Sequence, residues 1–409
     1  MDCLVCHDTT GTYKKIPTGA GMPDESVDLK KVAENVGHTS RQTCGSCHFS
    51  GGGGDAIKHA DLSGQLLTPE RAYDVHMGGY DFTCTECHRT RDHRISGRSS
   101  SVPVVEGIVT CRDCHSDAPH YKNELLKHHL NTHGESLACN TCHSPVYAKN
   151  KPTQTWWDWS KAGDQKRKPK KDGYGQPDYH WKKGEFRWEA TVKPEYAWFN
   201  GYMDRILLGD SVDIQTAPVH IARPVGSIKD PDSRITPFKI MKGVQAVDAE
   251  NKYFLVPHLF PRDAADTTAY WKSLDWQKAF QEGMATANLD YSGKYQWIET
   301  WMYWRLEHEV MPAAGALTCG QCHDSLRQKG KTCNRCHQDS RDVDFDEIAA
   351  EKPEIESFRD PEKAAALLRD TTDYIDFKKL GYRGDPIIYG GRFKKLPLGE
   401  EERSVAPRP

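Results

Sequence analysis

Cys44-Gly45-Ser46-Cys47-His48 sets two thiols three residues apart with an imidazole directly after the second. The same form, Cys-x-x-Cys-His, stands at Cys3/Cys6/His7, Cys84/Cys87/His88, Cys111/Cys114/His115, Cys139/Cys142/His143, Cys319/Cys322/His323 and Cys333/Cys336/His337. Together the seven copies use all 14 cysteines of the chain. This is the spacing of covalent c-type haem attachment, in which the thiols add to the haem vinyl groups and the neighbouring histidine binds the iron. A zinc site would gather four ligands from two such pairs and has no use for a histidine after each one. A disulfide framework leaves the following residue unconstrained, and a thioredoxin-like redox pair would occur once rather than seven times. The expected cofactor is haem c, seven copies covalently attached, and the expected work is electron transfer.

Working outward from the motifs, the chain divides into a five-haem region at 1–145, a haemless Trp-rich region at 146–315, a C-terminal haem pair at 316–340 and a tail at 341–409 expected to wrap the haem core. All 11 tryptophans fall in the haemless region, between Trp156 and Trp304. Large aromatics dominate burial in general, so packing against the haem core is the expected role for these rings. Tyr270–Asn288 and Glu299–Glu309 carry aromatics at near-helical intervals and read as helices. A helix is also expected at 360–369, with Asp360 as its cap and Pro361 in the first turn. Gly51 to Gly54 lack the strand-then-helix setting of a phosphate cradle and read as a close backbone approach to a haem. Only 37% of residues are hydrophobic and the mean hydropathy is -0.75. Porphyrins supplying much of the core reconcile this polarity with a compact chain. The fold class expected is therefore mainly α with extensive irregular loops, organised around a packed haem chain, with little β.

A low-spin electron-transfer haem takes a second strong axial ligand. Beyond the seven motif histidines, 12 of the 19 histidines remain. The favoured second ligands are His59, His76, His93, His120, His133 and His308. His76 and His93 flank the third motif, and His120 closely follows the fourth. His133 and His308 precede motifs, at the ends of expected helices. His128 and His129 are alternates to His133.

The formal net charge of -3 becomes more negative once haem propionates are added, which argues against nucleic acid as a partner. The expected partners are redox proteins or quinol-linked electron donors, with a small oxyanion as a possible substrate; assembly into a homo-oligomer is left open. Covalent haem attachment in bacteria takes place outside the inner membrane, which makes the expected location periplasmic or extracellular. No apolar run reaches the length of a membrane-spanning helix. The opening Met1-Asp2-Cys3 contains no signal peptide, and a segment upstream of Met1 is expected.

Several stretches carry more than the haem motif. CLVCHDTTGTYKKIPTGAG (3–21), TSRQTCGSCHFSGGGGDAIKHADLS (39–63), WWDWSKAG (156–163), YAWFNG (196–201), KYQWIETWMYW (294–304) and LGYRGDPIIYGGRFKKLP (380–397) resemble the octahaem tetrathionate reductase family of multihaem c-type cytochromes. The resemblance spans nearly the whole chain. It implies a periplasmic reductase of small sulfur or nitrogen oxyanions, the class of tetrathionate, nitrite and hydroxylamine. It also implies a lysine as axial ligand of the active haem, and Lys14 and Lys15, just after the first motif, match that role best. The chain departs from the family in lacking the haem motifs that precede Cys3, and in carrying a closing pair of motifs. The alternative to a reductase is a conduit in which every haem is ligated by two histidines.

Overall fold

The computed structural model describes residues 2–16, 21–97, 108–122, 127–323 and 375–383, together with residue 386. The motif at Cys333, Cys336 and His337 and the helix expected at 360–369 lie outside them. Each described motif opens or closes a short helix: Cys3–His7, Arg41–His48, Cys84–Cys87, Cys111–His115, Cys139–His143 and Cys319–Cys322. Local sequence starts several of them. Asp2 accepts the Val5 N–H at 3.2 Å, and Ser40 and Thr43 form a reciprocal capping box. The Thr110 N–H donates to Asp113 at 2.6 Å and the Thr318 N–H to Gln321 at 2.8 Å. Helices this short do not persist alone in water; what they dock against holds them.

The largest element beside them is a sheet, and the Cys139–His143 helix docks on it. A two-residue ladder pairs β1 (Thr90–Arg91) with β2 (Arg94–Ile95). The large sheet comprises β3 (Thr153–Asp158), β4 (Tyr179–His180), β5 (Gly184–Glu189), β6 (Glu195–Phe199), β7 (Met203–Arg205), β8 (Val219–Pro224), β9 (Arg234–Asp248) and β10 (Tyr295–Arg305). Its order is β4-β5-β3-β9-β10-β8-β7, with β6 also pairing on β9. The sheet is mixed: β9 runs antiparallel to β10 from Phe238 to Asp248, whereas β3 joins β9, and β8 joins β10, in parallel.

The expectation of a mainly α chain with little β is therefore overturned; among the described residues helix makes up 23% and strand 22%. The segment 299–309, read as a helix, belongs largely to β10. Trp297, Trp301 and Trp304 sit at spacings that imitate a helical face, but β-branched and aromatic residues favour a pleated surface. The burial pattern decides it, because Ile298 and Thr300 are buried and Glu299 between them is not. The segment 270–288 does form helices, Tyr270–Ser273 and Trp276–Thr286, broken where Leu274 takes a φ of 55°. Gly283 is required in the second of these, since a Cβ there would lie 1.9 Å from the Val256 carbonyl oxygen.

Buried polar links join the haem segments to the sheet. The Ala138 N–H donates to Ile235 at 2.9 Å, the Ile235 N–H to Ser136 at 2.8 Å, and the Thr141 hydroxyl to Ile235 at 2.7 Å. The Thr153 hydroxyl donates to the Ala56 carbonyl at 2.6 Å. The glycine loop leans on the sheet as well: Gly53, at φ 120°, lies so close to Trp157 that a Cβ would sit 3.3 Å from the indole. Of the tail, residues 375–383 are described. Ile375 and Leu380 pack on Tyr196, Trp198 and Ile235, and the Trp198 indole donates to the Leu380 carbonyl at 2.8 Å.

Candidate functional site

The cysteines Cys3, Cys6, Cys44, Cys47, Cys84, Cys87, Cys111, Cys114, Cys139, Cys142, Cys319 and Cys322 are all free of disulfides. Motifs that follow one another in sequence are neighbours in space. The Cys44 and Cys84 thiols interact closely, as do those of Cys111 and Cys139. Cys6 lies within electrostatic range of Cys44 and Cys47, Cys87 of Cys114, and Cys142 of Cys319. The first six motifs thus form an unbroken row.

Across that row, motif histidines face histidines from outside the motifs. The ring centres of His7 and His93 are 6.3 Å apart, His76 and His115 5.9 Å, His88 and His308 6.4 Å, His120 and His143 6.3 Å, and His133 and His323 6.1 Å. The separation hardly varies, whereas the angle between ring planes runs from 5° to 76°. Direct ring contact couples distance to angle, because stacked and edge-on pairs settle at different spacings. A constant gap at any angle means that something of fixed thickness belongs between the rings. Two metal–nitrogen bonds of about 2 Å each, plus about 1 Å from nitrogen to ring centre on either side, span about 6 Å. The residues therefore fit an iron held between two imidazoles.

Local structure explains how each partner arrives. Asp92 and His93, at φ 50° and 60°, form the turn between β1 and β2, and primed hairpin turns take this geometry. The His76 N–H donates to the buried Asp74 carboxylate at 2.9 Å. His133 ends the helix Lys127–His133. His308 was expected at the end of a helix; it instead follows β10 in a loop, its N–H donating to Asp61 at 2.9 Å. The far ring nitrogens are fixed too. His7 Nδ1 donates to Gly37 and His88 Nδ1 to Ser96, each at 2.8 Å, and His120 Nδ1 to the Asn131 side-chain oxygen at 3.1 Å. Each bond sets the tautomer and leaves Nε2 as the metal-binding atom.

Burial pulls the pKa of His48, His76 and His143 below the usual range and that of His133 to about 4. It favours the neutral imidazole, the form that binds a metal. His308 differs. Burial works against its charged form, but hydrogen bonding to Asp61 more than reverses this and lifts it to about 9. Asp61 is likewise opposed by its own burial and held down, at about 2, by His308 and the backbone donors.

Four sequence-selected residues are placed differently. His48 has no ring contact of this kind among the described residues. His59 lies edge-on to Trp304, at 4.3 Å between ring centres, in a neighbourhood that includes His48. Lys14 pairs with Asp24 at 3.6 Å on the surface; Lys15 pairs with Asp2 and donates to Gly21 at 2.6 Å. Sequence reasoning missed Asp61, Asp74 and Lys239. Asp61 meets a residue 247 positions away, and no local pattern signals such a contact.

Comparison with known proteins agrees with this geometry. The structure matches the crystal structure of octaheme cytochrome c from Shewanella oneidensis with a TM-score of 0.76 and 37% identity, over 95% of this chain and 76% of that one. The chain belongs to the octahaem cytochrome c family. A family described as "Cytochrome c bacterial" matches residues 154–326. An uncharacterized protein of Archaeoglobus fulgidus is 27% identical over 124 residues, which cover 26% of this chain and 41% of that protein. As a member of the octahaem family, this cytochrome carries covalently bound haem c. Among the described residues no helix is long and apolar enough to cross a membrane.

Proposed function

We propose that this octahaem-family cytochrome carries seven haem c groups, one at each motif, and passes electrons along them in the order of the sequence. The observation that carries the reading is the set of five histidine pairs held 5.9–6.4 Å apart. When bound, each haem supplies an iron that takes up and gives back a single electron. The protein does the rest. Paired cysteines anchor each ring, and paired imidazoles saturate the iron. With both axial positions filled, those sites exchange electrons and exclude substrate. The same reading puts the protein in the periplasm, with a redox protein or a quinol-linked enzyme as donor. Mass spectrometry of the matured protein should show seven added haems, and low-temperature EPR of the oxidised form should be dominated by low-spin ferric signals. A chain without attached haem, or mostly high-spin iron, overturns the proposal.

A specific observation favours a second, catalytic reading. Among the described residues the ring of His48 is not matched like the other five, and the half-buried Lys58 and the buried amine of Lys239 lie in the neighbourhood it shares with His59. An iron with one accessible face beside lysine amines suits a reductase of small sulfur or nitrogen oxyanions, in line with the family resemblance. Nitrite or hydroxylamine should then shift one high-spin signal, and reduced viologen should drive turnover. An entirely low-spin spectrum with no turnover leaves the relay alone.

A further inference from the structure

We propose that Asp61 holds the haem at Cys84, Cys87 and His88 at a lower reduction potential than a neutral hydrogen-bond partner would give, by placing a buried carboxylate on its second ligand, His308. The proposal rests on the reading above that His88 and His308 share one iron. Asp61 is 3% exposed. One of its oxygens accepts the Glu307 N–H at 2.7 Å, the His308 N–H at 2.9 Å and the His308 Nδ1–H at 3.2 Å. The ring bonds of His7, His88 and His120 go instead to uncharged oxygens of Gly37, Ser96 and Asn131. The iron between His88 and His308 is therefore set apart by a full negative charge one imidazole away.

The sign follows from electrostatics. Oxidised iron carries one more positive charge than reduced iron, so a nearby anion in a poorly screened interior stabilises the oxidised state. Hydrogen bonding to a carboxylate also makes the imidazole a stronger donor, which acts in the same direction. The two backbone bonds give Asp61 a second task, because they hold the loop that follows β10. Asp74 braces the same loop, accepting the Val310 N–H at 3.3 Å while it accepts the His76 N–H.

Asp61→Asn separates the two tasks: an amide oxygen still accepts N–H bonds, but the charge is gone. Outer-shell partners of metal ligands are typically worth at least tenfold. The variant holoprotein should therefore favour the reduced form of this one haem about tenfold more, a rise of about 59 mV for a single electron. Spectroelectrochemical titration followed by EPR resolves it. One low-spin signal should titrate at a higher potential and take on the g-anisotropy of a neutral imidazole while the others stay. Unchanged midpoints, or loss of the low-spin signal, overturn the proposal. His308→Ala identifies the signal in question and tests the underlying reading separately: if no low-spin signal is lost, His308 is not a ligand and the pairing itself fails. Should the Asn variant fail to mature, wild-type EPR decides. The signal absent from His308→Ala must then show the reduced g-anisotropy of an imidazolate-like ligand, and an ordinary neutral-imidazole signature overturns the proposal.

Discussion

Replacing Lys239 by Met should alter the pH dependence of stability more than stability at any one pH. Lys239 lies on β9 and is 0% exposed. Its Nζ donates to the Ile57 carbonyl and the Thr153 hydroxyl, each at 2.6 Å, and both acceptors are neutral. Burial pushes its pKa well below the usual lysine range; attraction from Asp61 and Glu189 offsets only part of this. In the unfolded chain the amine binds its proton with a pKa of about 10.4. Between the depressed folded value and about 10.4, the unfolded state thus holds up to one proton more than the folded state. Stability then rises with pH by up to about 1.4 kcal/mol per unit in that window, and below the folded value the penalty for a buried charge is present in full. Met fills similar volume and does not titrate. The variant loses a donor to the Ile57 carbonyl, at about 1–3 kcal/mol, and is relieved of the charge. Thr153 keeps its bond to Ala56. Guanidinium unfolding of holoprotein, followed by far-UV circular dichroism at half-unit steps from pH 7 to 10, gives the comparison. The stability of the variant relative to wild type should fall by up to about 1.4 kcal/mol per pH unit. Parallel curves would show that the amine keeps its proton to the same pH in both states, refuting the claim that burial governs it.

Two further outcomes follow from the fold. His93→Ala should turn one low-spin haem high-spin, the one held by Cys3, Cys6 and His7, leaving the number of attached haems unchanged by mass; an unaltered EPR spectrum would refute the His7–His93 pair. Phe280→Ala should cost about 3–5 kcal/mol, because Phe280 is 1% exposed and packs with Ala246, Leu255 and Met284. It should leave the visible haem spectrum as it was, and a loss under about 1 kcal/mol in thermal or denaturant unfolding would contradict that packing.

Some of the site was legible because its chemistry is local. The thiols of a motif and the histidine after them lie within about one helical turn, so their joint role needs no knowledge of the rest of the chain. His76, His93, His120 and His133 lie near motifs in sequence, and in the structure each faces a motif histidine. His59 and Lys14 also lie near motifs, and the structure sets them against Trp304 and Asp24. The fold was less legible. Trp297, Trp301 and Trp304 satisfy a helical spacing by eye, and only pairing with Phe238 to Asp248 on β9 makes them strand.

What the sequence by itself determined is the attachment chemistry: iron porphyrins bound through paired thiols, each with one histidine supplied from the next position. What only the tertiary structure decided is which histidine stands opposite which, and what charge lies behind it. His308 reaches His88, and Asp61 reaches His308, because β9 and β10 carry the loop after β10 across to the haem segments. Contacts between residues so far apart in the chain are set by which buried surfaces pack together, and no short window of sequence records that.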